Sequence, residues 1–248
     1  MKRFNMIGDM ISDEAKWFYD WLEMPSVTHS AIRQFLTEAG GDDIELYIDS
    51  PGGLLNVGSD IYGELRAYAG NSTSYVLGVA GSAASVAMLG AKKIVAIPTA
   101  RVVIHNAQSA AEGDYRAMKE AQQRLKEASE SIINAYEIKT GMSRTALQAL
   151  MDRTTSMSAQ TALEYGFIDE VALKEGEHLT AIENSIEARD VLAKLGMRTY
   201  NSLKLHEIAA LAKDIVQNDS GGERRPVSDI QLAEQRRQFA AIRRRIYT

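Results

Sequence analysis

The chain has 248 residues, 45% of them hydrophobic and 25% charged, with a formal charge of −5. That length suits one domain with an appendage or two small domains, and the mild acidity argues against a nucleic-acid binder. The absence of cysteine excludes a disulfide frame, a thiolate nucleophile and a thiolate metal site, and no apolar run approaches the ~20 residues of a membrane span.

Met1 to Asp9 carries basic residues but not the roughly 7–15-residue apolar core of a signal peptide, so a cytoplasmic protein is expected. Phe4 to Ile11 reads as a short strand broken by Gly8. Ser12 to Leu22 spaces Ala15, Phe18, Tyr19 and Leu22 as a helix does, with Trp17 and Trp21 on its flank as packing or interface residues. Pro25 ends that element, and Ser30 to Ala39 reads as a helix stopped by Gly40-Gly41. Ile44 to Ile48 is a strand, followed at once by Asp49-Ser50-Pro51-Gly52-Gly53. Strands and helices then alternate. Val57 to Tyr68 is a helix, Ser74 to Val79 a strand, and Ser85 to Gly90 a helix of small residues. Lys93 to Ile97 and Arg101 to Ile104 are strands around Pro98. Helices follow over Asp114 to Thr140, closed by Gly141, over Ser143 to Arg153 and over Ser158 to Tyr165. Phe167 to Val171 returns as a strand. This rhythm predicts a parallel sheet covered by helices. Beyond about Leu173 the pattern weakens. Helices are expected over Ile186 to Leu195 and Lys204 to Val216, then a flexible joint at Asn218 to Gly222. Ser228 to Ile246 is amphipathic, with Leu232, Phe239, Ile242 and Ile246 on one side and Arg236, Arg237, Arg243, Arg244 and Arg245 on the other. The plain account of the basic side is a solvated face; the sharper one is a docking tail for an acidic partner or for the protein's own oligomer.

Three stretches carry candidate chemistry. Ser50-Pro51-Gly52-Gly53 follows a strand, and paired glycines let amides face outward while another backbone comes close. Gly81-Ser82-Ala83-Ala84-Ser85-Val86-Ala87 sits where a strand turns into a helix, whose first amides lack intrahelical partners and can hold an oxyanion. Val102-Val103-Ile104-His105-Asn106 ends a strand on a histidine, in a chain with only four, and suits a general base. Each has an ordinary structural explanation by itself: a turn, a packed helix start, a satisfied histidine. His29, His178 and His206 take no role, and no His/Asp/Glu group has metal-ligand spacing.

Together, in this order and spacing, the three stretches resemble the Clp peptidase family. The resemblance spans about Phe4 to Val171 and includes Ala159 to Asp169, with its Glu164-Tyr165-Gly166. Its nearest likeness is to the Clp-like proteins of phages and prophages, thought to mature phage heads, through His105-Asn106, Gly113-Asp114 and Ala128 to Tyr136. The resemblance implies an α/β spiral of βαβ units shared with crotonases, with a protruding handle helix over Asp114 to Thr140. It divides the chain into a peptidase domain, 1–173, and a mostly helical extension, 174–248. It makes Ser85 the nucleophile, His105 its base, and the Gly52/Gly53 and Val86 amides the oxyanion hole. A free hydroxyl does need such a base at neutral pH.

The third triad member departs from the family pattern. The family places an acid four residues before the pair matched by Ser158-Ala159, and that position is Thr154. The nearest carboxylate is Asp152, about half a turn or more away around a helix. Three readings follow: Asp152 serves after a local shift, Thr154 or a backbone carbonyl orients the imidazole, or the chain is a non-catalytic homologue.

The resemblance further implies a homo-oligomeric ring acting on polypeptide substrates, with no metal or other cofactor. No Walker-type phosphate loop is present, so any ATPase is a separate partner, and a capsid or scaffold protein is the other candidate. Two competitors stand beside the serine endopeptidase: a non-catalytic ring subunit, motivated by Thr154, and a crotonase-like acyl-CoA enzyme. The crotonase reading is disfavoured because Ser85 and His105 sit where a serine nucleophile needs them.

Overall fold

The computed structural model describes residues 1–22 and 24–172. Four expectations lie outside these residues: the extension over 174–248, its helices, the joint at 218–222 and the basic C-terminal face. One sheet contains β1 (Lys2–Met10), β2 (Ser26–Val27), β3 (Ile44–Gly53), β4 (Ser72–Gly81), β5 (Lys93–Ala96), β6 (Arg101–Ile104), β7 (Thr155–Ser158) and β8 (Glu170–Val171). The helices are α1 (Lys16–Trp21), α2 (His29–Ala39), α3 (Leu55–Ala67), α4 (Ala83–Ala87), α5 (Tyr115–Thr140), α6 (Arg144–Asp152) and α7 (Ala159–Glu164).

The main path runs β2-β1-β3-β4-β5-β8 with parallel neighbours throughout. In β3, Ile44 to Ser50 is buried at every position, as a parallel strand covered on both faces must be. Its Glu45 tolerates burial because Tyr47 Oη donates to it and Arg3 Nε approaches to 3.3 Å. The faces of α2, α3 and α6 that carry Ile32/Leu36, Ile61/Leu65 and Leu147/Leu150 close the core.

Caps explain where the helices begin. Thr28, Asp114, Ser143 and Ser158 each accept a hydrogen bond from a first-turn amide. Gly40 and Gly141 end α2 and α5 in the left-handed conformation. In α5 the burial is lopsided: Ile132, Ile133, Ala135 and Tyr136 are buried, whereas before Ser129 only Ala121 is. The N-terminal half of this helix therefore stands away from the core, with Tyr115 and Met118 exposed.

The feature that positions the site is a fork in β4. Thr73 to Val76 pair with β5, and Val79 to Gly81 pair with β6. β7 then runs antiparallel to β6. The expected strand over Arg101 to Ile104 is found with its ends unchanged, and the expected β1, α2, α3, β4 and β5 are found with ends moved by at most two residues, while the expected return strand over Phe167 to Val171 is reduced to Glu170–Val171. Two strands are additions. β2 has two residues, and β7 (Thr-Ser-Met-Ser) buries only Met157, so neither has an apolar pattern of its own; each forms by pairing with an existing edge. A further difference is that Ser50 to Gly53 belongs to β3, where the sequence reads as a loop.

Candidate active site

The small residues of the two candidate loops are explained by how closely their backbones meet. Gly52 has φ +99°, and a Cβ there would lie 2.4 Å from the Gly81 carbonyl oxygen and 2.8 Å from the Ala83 amide nitrogen. A Cβ on Gly81 would lie 2.8 Å from the Pro51 carbonyl oxygen, and one on Gly58 would lie 2.5 Å from the Ala83 carbonyl oxygen. Only glycine permits this seam. The register of β1 on β3 breaks at Gly8, and that of β3 on β4 breaks at Asp49. At the second break Asp49 Oδ1 accepts the Val79 amide at 3.0 Å, supplying a partner the ladder no longer provides.

The turn into α4 is strained. Ser82 has φ 51° and ψ −124°, in a region that non-glycine residues rarely occupy. Its amide donates to the Val103 carbonyl at 2.8 Å, anchoring the elbow to β6. Its carbonyl accepts both the Ser85 amide, at 2.9 Å, and the Ser85 hydroxyl, at 2.6 Å. Ser85 is fully buried, and its Oγ also lies 2.7 Å from Tyr136 Oη of α5. Burial pushes the Tyr136 phenol well above its ordinary pKa, against a smaller lowering by Ser85, so it is neutral at physiological pH.

His105 reaches this corner through the fork. Val103 pairs with Gly81, so the chain beyond β6 runs past the elbow and delivers His105 beside it. The imidazole Nδ1 lies 2.6 Å from the Asn106 carbonyl oxygen, a contact in which Nδ1 donates and Nε2 is left as the acceptor. Among the described residues Ser85 and His105 share no hydrogen bond. Exposed Asp152 faces Asn106 rather than the imidazole: its Oδ1 accepts from Asn106 Nδ2 at 2.8 Å and from Gln148 Nε2 at 2.7 Å. These two hydrogen bonds hold its carboxyl below the usual carboxylate range. Gln148 also donates to Asn106 Oδ1 at 3.0 Å, closing a three-residue cluster behind the histidine. Thr154 is exposed at φ 52° and marks the turn from α6 into β7.

Gly52, Gly53, Ser82, Ala83, His105 and Tyr136 line one cavity of about 1220 Å³. The Gly52 amide donates to Ser50 Oγ at 3.1 Å, so an arriving carbonyl oxygen would compete with that hydroxyl. Asp9, opposite Gly52 in the β1–β3 ladder, lines the same cavity and accepts Tyr19 Oη at 3.0 Å. Burial raises its carboxyl from 3.8 to about 6, partly offset by the Tyr19 hydrogen bond. Among the described residues no group of three or more His, Cys, Asp or Glu side chains could hold a metal ion, and no helix is long and apolar enough to cross a membrane.

The structure thus brings Gly52, Gly53, His105 and the start of the elbow, Ser82 and Ala83, to one cavity, keeps Ser85 and Val86 buried in the helix that follows, and leaves Asp152 one residue removed from the imidazole. Sequence reasoning missed Tyr136 and the roles of Asn106 and Gln148. Tyr136 shares the apolar stripe of Ile132 and Ile133 along α5, which marks it as buried but not as reaching Ser85.

The model of the Clp protease family matches residues 24–175. The chain belongs to the Clp protease family. Among curated relatives, the ATP-dependent Clp protease proteolytic subunits of two Bacteroides fragilis strains are each 34% identical over 137 residues. That match covers 54% of this chain and 66% and 62% of the two relatives, so the chain spans less than two thirds of their length. The parallel sheet with flanking helices is consistent with the Clp protease fold.

Proposed function

We propose that this chain is a serine endopeptidase. The observation that carries the proposal is the meeting of the glycine seam, the strained elbow bearing Ser85, and His105 at one cavity in a member of the Clp protease family. Ser85 Oγ attacks the substrate carbonyl carbon as His105 Nε2 takes its proton. The oxyanion is held by the Val86 amide and the Gly52/Gly53 amides. Collapse passes the proton from His105 to the leaving amine, and water, activated by the same imidazole, releases the acyl group from Ser85. The Asn106 carbonyl orients the imidazole, with Asp152 and Gln148 bracing Asn106 from behind. Of the alternatives for the third member, this arrangement supports a backbone carbonyl over a direct carboxylate.

The family resemblance extends the proposal to a homo-oligomeric ring, a polypeptide substrate and a separate ATPase or capsid partner, and it points to phage head maturation in a bacterial cytoplasm. The non-catalytic reading keeps one observation in its favour: Ser85 Oγ bonds to Ser82 and Tyr136 rather than to His105. Fluorophosphonate labelling separates the two. The wild-type chain should label and Ser85→Ala should not. Labelling that survives Ser85→Ala would refute the assignment, and a well-formed but silent wild-type oligomer would favour the non-catalytic reading.

A further inference from the structure

The hydrogen bonds at Ser85 can be assigned by counting protons. The hydroxyl has one, and it goes to the Ser82 carbonyl at 2.6 Å, because a carbonyl can only accept. The 2.7 Å contact with Tyr136 is then a phenol donating to Ser85 Oγ. The serine proton is therefore engaged by Ser82 and not by His105, and one of the oxygen's two lone pairs is already engaged. Both groups are buried, so water does not compete for either contact. The Tyr136 ring is fixed independently, packed edge-on against Phe167 with centroids 5.2 Å apart, on a helix whose neighbouring Ile132 and Ile133 are core residues.

From this geometry we infer that Tyr136 is a positioning residue that latches Ser85 in a resting rotamer, from which the hydroxyl must be released before His105 can take its proton. The inference rests on Ser85 being the nucleophile. Its consequence is opposite to that of an ordinary supporting contact: removing the phenol hydroxyl speeds the reaction. Tyr136→Phe keeps the ring, its packing on Phe167 and the Ser82 acceptor, and deletes only the donor. Breaking one hydrogen bond of ordinary net strength should raise the resting enzyme's reactivity by roughly 2- to 10-fold.

The test compares the rate of fluorophosphonate labelling and the steady-state cleavage of a peptide library in the full-length wild type, Tyr136→Phe, Ser85→Ala and the double variant. Faster labelling of Tyr136→Phe, with kcat raised and KM unchanged, supports the latch. A rate equal to or below wild type overturns the latch and leaves the nucleophile standing. Labelling of neither chain overturns the nucleophile and the latch together, as does labelling of the double variant. Tyr136→Met, which also fills the site without a donor, gives the same reading should the Phe variant lose structure in a thermal melt.

Discussion

Asp9 gives the sharpest quantitative prediction. Its carboxyl is half-buried at the cavity wall with Tyr19 Oη as its donor. Desolvation outweighs that hydrogen bond, so the folded chain releases this proton near pH 6 rather than near 3.8. Between those values the folded state binds more protons than the unfolded one, and stability must fall as pH rises through the window. At about 1.4 kcal/mol per pH unit, the gap sets about 3 kcal/mol as the upper bound on what ionised Asp9 costs at neutral pH. Its remaining contact with solvent lowers the expected value to about 1–3 kcal/mol. Asp9→Asn removes the charge while keeping a carbonyl to accept from Tyr19. Urea unfolding followed by circular dichroism at pH 4, 5, 6 and 7 measures the difference between variant and wild type. That difference should grow in the variant's favour by about 1–3 kcal/mol from pH 4 to pH 7, in line with the linkage. A difference independent of pH, or one growing in favour of the wild type, would refute the reasoning.

Two further predictions concern the site itself. Gly52→Ala places a Cβ 2.4 Å from the Gly81 carbonyl oxygen at φ +99°. Strained backbone and overpacking together should cost roughly 2–5 kcal/mol in a denaturant melt and suppress Ser85 labelling; a loss below about 0.5 kcal/mol would mean the seam is not rigid. Asp152→Ala leaves the Asn106 carbonyl in contact with His105 Nδ1, so kcat/KM should fall by less than about tenfold. A loss near the ~10⁴-fold seen when a directly orienting acid is removed would restore Asp152 to the triad.

Much of this protein is legible in its sequence because the relevant signals are local. Asp114 and Ser143 mark helix starts, and Gly40 and Gly141 set helix ends, whereas the cap Thr28 of α2 emerged only in the structure. The spacing of Ser50 to Gly53, Gly81 to Ala87 and His105 carries the family resemblance, and the fold agrees with it. β2 and β7 were not legible, since two residues, or four polar-rich ones, become strands only against an edge already formed.

What the chain's own order could not decide is which groups touch. The paired glycines read as room for a substrate, yet the backbone that presses on Gly52 belongs to the elbow. Tyr136 stands 51 positions from Ser85, and Asp152 stands 46 from the Asn106 side chain it braces. Both contacts follow from the fork in β4 and from the packing of α5 on α4 and on α6, which no periodicity records. Local patterns report which face of an element is apolar, but the partner across a packed interface is chosen only when the elements meet.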